Sequence, residues 1–174
     1  PETVGRCLDD VGIGFLFAPA LHGAMKYAIG PRREIGARTI FNALGPLTNP
    51  AGAQRQLIGV YGRDLTEPLA RVLGELGSER AYIVHGLDGL DEITTAAATQ
   101  VSELRDGSVT TYEVSPEDFG IPRAQAEDLM GGDVGTNVDI VLSVLKGGKG
   151  PQRDIVALNA AAAITAGGLA ETLS

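Results

Sequence analysis

Hydrophobic positions change their period several times along the chain, and each change marks an element. Val4, Cys7 and Leu8 fall at helical spacing and predict a helix over residues 1–10. An apolar patch, Ile13 to Phe17, and a mixed segment, His22 to Gly36, come next. The run Leu44-Gly45-Pro46-Leu47-Thr48-Asn49-Pro50 reads as a rigid loop, because each proline fixes φ and Gly45 can take conformations closed to other residues. Leu57 to Tyr61 then predicts a buried strand. Leu69, Val72, Leu73 and Leu76, at i, i+3, i+4 and i+7, predict the inward face of a helix. Asp64 or Thr66 is its candidate cap, Pro68 sits in its first turn and Gly77 stops it. Ala81 to Val84 is a second short strand, so the three elements form a βαβ unit with parallel strands.

Beyond that unit the pattern changes. Val101 to Leu104 and Val109 to Val114 flank Asp106-Gly107, a hairpin signal because a type I′ turn needs positive φ at both centres. Val138, Val141, Leu142 and Leu145 predict one face of a helix ending at Gly147-Gly148. Ile155 to Ala166 predicts a last, buried helix, which Asn159 and Thr165 interrupt and which is too short to span a bilayer. The expected fold is α/β: a mixed, mainly parallel sheet with flanking helices and one antiparallel hairpin. No repeat or low-complexity linker divides residues 1–174, so a single α/β domain is expected.

Composition sharpens this picture. Apolar residues make up 44% of the chain but aromatics only 5%, with no Trp, so Ala, Val, Leu and Ile must build the core. That suits helices packed on a sheet. A net charge of −8 repels phosphate backbones and argues against a general nucleic-acid binder. Cys7 is the single cysteine, so no internal disulfide is possible and a reducing, cytoplasmic setting is expected. Pro1-Glu2-Thr3 has neither the basic nor the apolar part of a signal peptide.

Three groups of residues are candidates for chemistry. His85-Gly86-Leu87-Asp88-Gly89-Leu90-Asp91-Glu92 follows a parallel strand, where ligands of open α/β sheets collect. Its crowded carboxylates suit Mg²⁺ shared with a substrate phosphate, although an acidic solvated turn would have the same composition. His22 with Arg32 and Arg33 could grip a carboxylate or phosphate, or could be surface charges on a helix and its exit. The Gly45-Pro46 loop, with Asn42 and Asn49, could line a site or simply turn the chain. Other motifs fail: Gly12-Ile13-Gly14 lacks the third glycine of a dinucleotide fingerprint, and Lys149 is not followed by Ser or Thr as in a P-loop. Two histidines and one cysteine do not make a zinc site of ordinary composition.

Three long blocks carry a family resemblance. Gly14-Phe15-Leu16-Phe17-Ala18-Pro19 leads to His22, Met25, Lys26 and Arg32-Arg33-Glu34. Arg38-Thr39-Ile40-Phe41-Asn42-Ala43-Leu44 continues into Gly45-Pro46-Leu47-Thr48-Asn49-Pro50-Ala51, and the third block runs from Val84 to Glu92. Weaker matches extend through Glu117 to Gly120, Gly131-Gly132-Asp133, Arg153-Asp154 and Asn159-Ala160-Ala161. In this order and spacing the chain resembles the anthranilate phosphoribosyltransferases over essentially its whole length. These enzymes join anthranilate to phosphoribosyl pyrophosphate, giving N-(5-phosphoribosyl)anthranilate and pyrophosphate in tryptophan biosynthesis.

The resemblance implies the large α/β domain shared by nucleoside phosphorylases and phosphoribosyltransferases of this type. It implies Asp91 and Glu92 as the metal pair, with two Mg²⁺ per site bound together with pyrophosphate, and Asp88 as a supporting carboxylate. It implies Arg32 at the anthranilate carboxylate, with His22, Pro19, Gly45 and Pro46 along the same channel. It assigns no residue here as a nucleophile or proton-transfer group, and it implies a cytoplasmic homodimer without a nucleic-acid or membrane partner. Neither the glycine-rich Gly-Thr-Gly-Gly-Asp loop nor the Lys-His-Gly-Asn-Arg segment of the family occurs in these 174 residues. A domain incomplete at the N-terminus and at the C-terminus, inactive alone, is therefore expected. Two alternatives remain: a pyrimidine nucleoside phosphorylase-like enzyme, and a non-catalytic nucleic-acid-binding relative.

Overall fold

A sheet clamped between helices organises most of the chain. The computed structural model describes residues 2–17, 30, 34, 36, 40–49 and 51–173, with the side chains of 40–43 left aside. They fall into two compact units, residues 1–53 and 54–174.

In the first unit, α1 (Glu2–Val11) is the helix expected at the start. Gly12 ends it at φ 81°, donating its N–H to the Leu8 carbonyl at 3.1 Å. This left-handed terminus suits glycine, which has no Cβ to clash. A further helix, α2 (Ile40–Leu47), corrects the predicted loop, because Leu44, Gly45, Pro46 and Leu47 form its last turns. A proline near a helix end forfeits one backbone bond only. Thr48 then donates its hydroxyl towards the carbonyls of Leu44 and Gly45, both at 3.2 Å, so the exposed helix end is satisfied.

The second unit holds β1 (Arg55–Gly59), α3 (Thr66–Glu75) and β2 (Arg80–Gly86), then the hairpin β3 (Thr99–Arg105) and β4 (Ser108–Val114). The sheet order is β1-β2-β3-β4. β1 and β2 are parallel, as the βαβ pattern requires, with Gly59 opposite Val84. The hairpin turn is the predicted one, with φ 51° at Asp106 and 74° at Gly107. Among the described residues, however, parallel pairing does not predominate: β2–β3 and β3–β4 are both antiparallel. The reason lies in the acidic segment, which reverses the chain as a loop, whereas a parallel return would need a crossover.

Side chains alternate across the sheet and so build two half-cores. On one side Tyr82, Val84 and Val101 pack with Ile93 and with Leu158, Ala162 and Ala166 of α5 (Pro151–Ala166). On the other, Leu69, Ala70 and Leu73 of α3 are buried. There Ser102 hydrogen-bonds Thr66 at 2.9 Å across the helix–sheet boundary. β2 is buried on both faces, which explains its continuous apolar run.

Several expectations at this level are corrected. Leu76 is 63% exposed, because α3 ends before it and the C-cap turns it outward; Ala70 and Thr66 complete the buried face. Neither Asp64 nor Thr66 caps α3: the N-cap is Leu65, without a side-chain bond, and Thr66 donates its hydroxyl to the Arg63 carbonyl at 3.1 Å. α4 (Val134–Leu145) forms as predicted, but its apolar face is not covered by described residues, Leu145 being 78% exposed. Periodicity reports which face is apolar, not what lies over it. α5 is buried along one face only, with Val156 and Ile164 exposed on the other. Among the described residues no helix is long and apolar enough to cross a membrane.

Candidate functional site

The acidic segment leaves the C-terminal end of β2, beside the end of its parallel neighbour β1. That edge is where open α/β sheets place ligands. His85, near the end of β2, is buried, and its Nδ1 lies 2.8 Å from the Val60 carbonyl oxygen. A carbonyl only accepts, so Nδ1 carries the proton and the ring stitches β2 to the chain leaving β1.

The loop then folds on itself. The Gly86 N–H donates to the Leu90 carbonyl at 2.7 Å, and the Gly89 N–H to the Gly86 carbonyl at 2.8 Å. Gly89 stands at φ 98°, a conformation that favours glycine. Asp88 is occupied by the loop: its Oδ1 accepts from the Leu90 N–H at 3.2 Å and its Oδ2 from the Thr94 hydroxyl at 2.7 Å. Thr94 in turn accepts from the Ala96 N–H at 3.0 Å. Asp88 is therefore a shape-giving carboxylate.

Asp91 and Glu92, exposed like Asp88, differ from it in being adjacent. Desolvation first, and then the neighbouring Asp91 charge, raise the Glu92 carboxyl above the usual glutamate range. Among the described residues no Lys or Arg forms an ion pair with either one. Nor does any group of three or more His, Cys, Asp or Glu form a ready-made metal cage there. Two carboxylates with mutual repulsion and no cage fit Mg²⁺, which commonly takes one or two protein carboxylates and completes its shell with water and substrate phosphate.

Two supports of this pair are not read from the sequence pattern. Gly59 of β1 lies directly beneath the Asp91 main chain, where a Cβ would overlap the Asp91 carbonyl oxygen. From the other side, Asn159 of α5 binds the main chain of Ile93 twice, accepting from its N–H at 3.0 Å and donating to its carbonyl at 2.9 Å. The available signal was a lone amide within an apolar helix.

The remaining candidates are placed more thinly. Gly45 and Pro46 lie in the last turns of α2, in the first unit, and Gly45 accepts from the Thr48 N–H at 3.2 Å. Pro19, His22, Arg32 and Arg33 lie outside the described residues.

The chain as a whole is similar to proteins of known family. A family model described as "Glycosyl transferase family, a/b domain" matches residues 1–174. The anthranilate phosphoribosyltransferase of Moorella thermoacetica is 60% identical over 173 residues, covering 99% of this chain and 51% of that protein. The crystal structure of anthranilate phosphoribosyltransferase from Thermus thermophilus superposes with a TM-score of 0.90 at 41% identity, over 99% of this chain and 51% of that one. The Saccharomyces cerevisiae enzyme, in complex with PRPP and Mg, gives a TM-score of 0.85 at 28% identity, over 95% and 48% of the two chains. The chain thus spans about half the length of the curated relatives it matches.

Proposed function

Since the chain belongs to the glycosyl transferase family whose a/b domain model matches its whole length, we propose that it provides the α/β part of an anthranilate phosphoribosyltransferase. The reaction moves the phosphoribosyl group from phosphoribosyl pyrophosphate to the amine of anthranilate and releases pyrophosphate. The observation that carries this reading is the exposed Asp91–Glu92 pair, unpaired among the described residues and held at the C-terminal edge of the parallel strands.

In this reading Asp91 and Glu92 hold Mg²⁺, two ions per site, together with the pyrophosphate. Bound there, the metal supplies positive charge to the departing pyrophosphate. The protein's own part is placement. Loss of pyrophosphate leaves an oxocarbenium-like ribose, and anthranilate offers only a weak aromatic amine, so the two must be held close and aligned. Arg32 provides paired N–H donors matched to the planar anthranilate carboxylate. His22 and Pro19, with Gly45 and Pro46, complete the channel. A homodimer and a cytoplasmic location belong to the same proposal.

The test is substrate choice in the protein that carries this chain. Loss of anthranilate fluorescence, dependent on both phosphoribosyl pyrophosphate and Mg²⁺, is the expected result. Cleavage of a pyrimidine nucleoside by inorganic phosphate, without added metal and with anthranilate untouched, would overturn it.

A further inference from the structure

We propose that Asn159, on α5, is a positioning residue for the Asp91–Glu92 pair. The inference rests on the reading of those two carboxylates as metal ligands.

Asn159 uses its amide fully. Oδ1 accepts from the Ile93 N–H at 3.0 Å, while Nδ2 donates to the Ile93 carbonyl at 2.9 Å and to the Ile155 carbonyl at 3.0 Å. Flipping the amide would set its nitrogen against an N–H and its oxygen against two carbonyls, so one orientation alone satisfies all three partners. The side chain imitates a strand partner and fixes the peptide planes on both sides of Ile93.

The Ile93 side chain is anchored to the same helix. It is 1% exposed and packs in the cluster that contains Leu158 and Ala162. Upstream, the Leu90 carbonyl accepts from Gly86, and the Asp91 carbonyl rests on Gly59. These anchors hold the 91–92 and 92–93 peptides themselves, so only the two backbone dihedrals of Glu92 lie between them. Peptide planarity leaves two soft dihedrals per residue, so fixing both ends fixes the directions in which Asp91 and Glu92 leave the backbone. A metal held by few protein ligands depends on their orientation, and partners that orient ligands typically affect affinity by about 10- to 100-fold. Asn159 thereby couples a helix on one face of the sheet to the metal edge.

A clamp that only stabilised the fold would leave metal affinity unchanged, and this separates the two roles. The probe is Mn²⁺ alone, titrated into the protein that carries this chain, with free Mn²⁺ read by electron paramagnetic resonance. Asn159→Leu, close in size and without hydrogen bonds, should weaken binding by about 10-fold or more. Asn159→Ala serves as the second variant, with circular dichroism confirming that each folds. Leu73→Ala, in the half-core on the other side of the sheet, should lower the Tm and leave Mn²⁺ affinity unchanged. Wild-type affinity in the folded Asn159 variants would overturn the inference, as would an equal loss in Leu73→Ala. Unchanged affinity in Asp91→Asn with Glu92→Gln would instead show that the metal lies elsewhere, and would overturn the metal reading together with the inference.

Discussion

Gly59 and Asp91 meet main chain to main chain: a Cβ on Gly59 would fall on the carbonyl oxygen of Asp91. The last residue of β1 is thus the floor on which the acidic loop rests. Gly59→Ala must push the loop away or bend the strand. A loss of about 1–3 kcal/mol is expected, the usual range for overpacking, together with weaker Mn²⁺ binding. Denaturant titration and a metal titration on the same preparation measure both. An alanine variant with unchanged stability and unchanged affinity would contradict the close approach.

A second prediction concerns pH. Asp133 caps α4, accepting from the Thr136 N–H at 2.8 Å, and that backbone hydrogen bond holds its carboxyl below the usual aspartate range. A lowered value in the folded state means that the cap contributes fully above the unfolded value. The contribution is lost as pH falls through the folded one. Amide-exchange protection at Thr136 should therefore decline in acid, below about pH 4, before that of Ile83 in the central strand. Asp133→Ser keeps an acceptor without the charge and should abolish this step. An identical acid profile in both proteins would assign the decline to other carboxylates.

A third prediction tests the anthranilate reading. Arg32→Ala, in the protein that carries this chain, should raise KM for anthranilate by about 10-fold or more, the scale of a lost charge-assisted hydrogen bond. KM for phosphoribosyl pyrophosphate should change far less. Initial rates with each substrate varied in turn give the answer, and equal losses for both would reduce Arg32 to a general structural role.

Local patterns were the legible part of the fold. Leu69 and Leu73 marked the inner face of α3, and Asp106-Gly107 marked the hairpin, because both signals are complete within a few residues. What depends on distant chain was not legible. Val138, Val141 and Leu145 specify an apolar face without saying what covers it, and Leu44 to Leu47 continue a helix whose end is completed by Thr48. Asp91 and Glu92 could be singled out from their place after a strand and from the family resemblance. The supporting roles of Gly59 and Asn159 could not, since these residues lie 32 and 67 or 68 residues away in sequence, and the resemblance at Asn159 gives it no task. Asp88 was expected only as a supporting carboxylate, and its bonds to Leu90 and Thr94 show how it shapes the loop.

The most direct test removes both carboxylate charges while keeping their shape. Asp91→Asn with Glu92→Gln, in the protein that carries this chain, is assayed for phosphoribosyl transfer across a range of Mg²⁺ concentrations, with anthranilate binding measured in parallel. Turnover should fall by about 100-fold or more, the scale of losing preorganised charge stabilisation at a reacting phosphate, with anthranilate binding largely retained. Turnover at the wild-type rate, with the same dependence on Mg²⁺, would contradict the account.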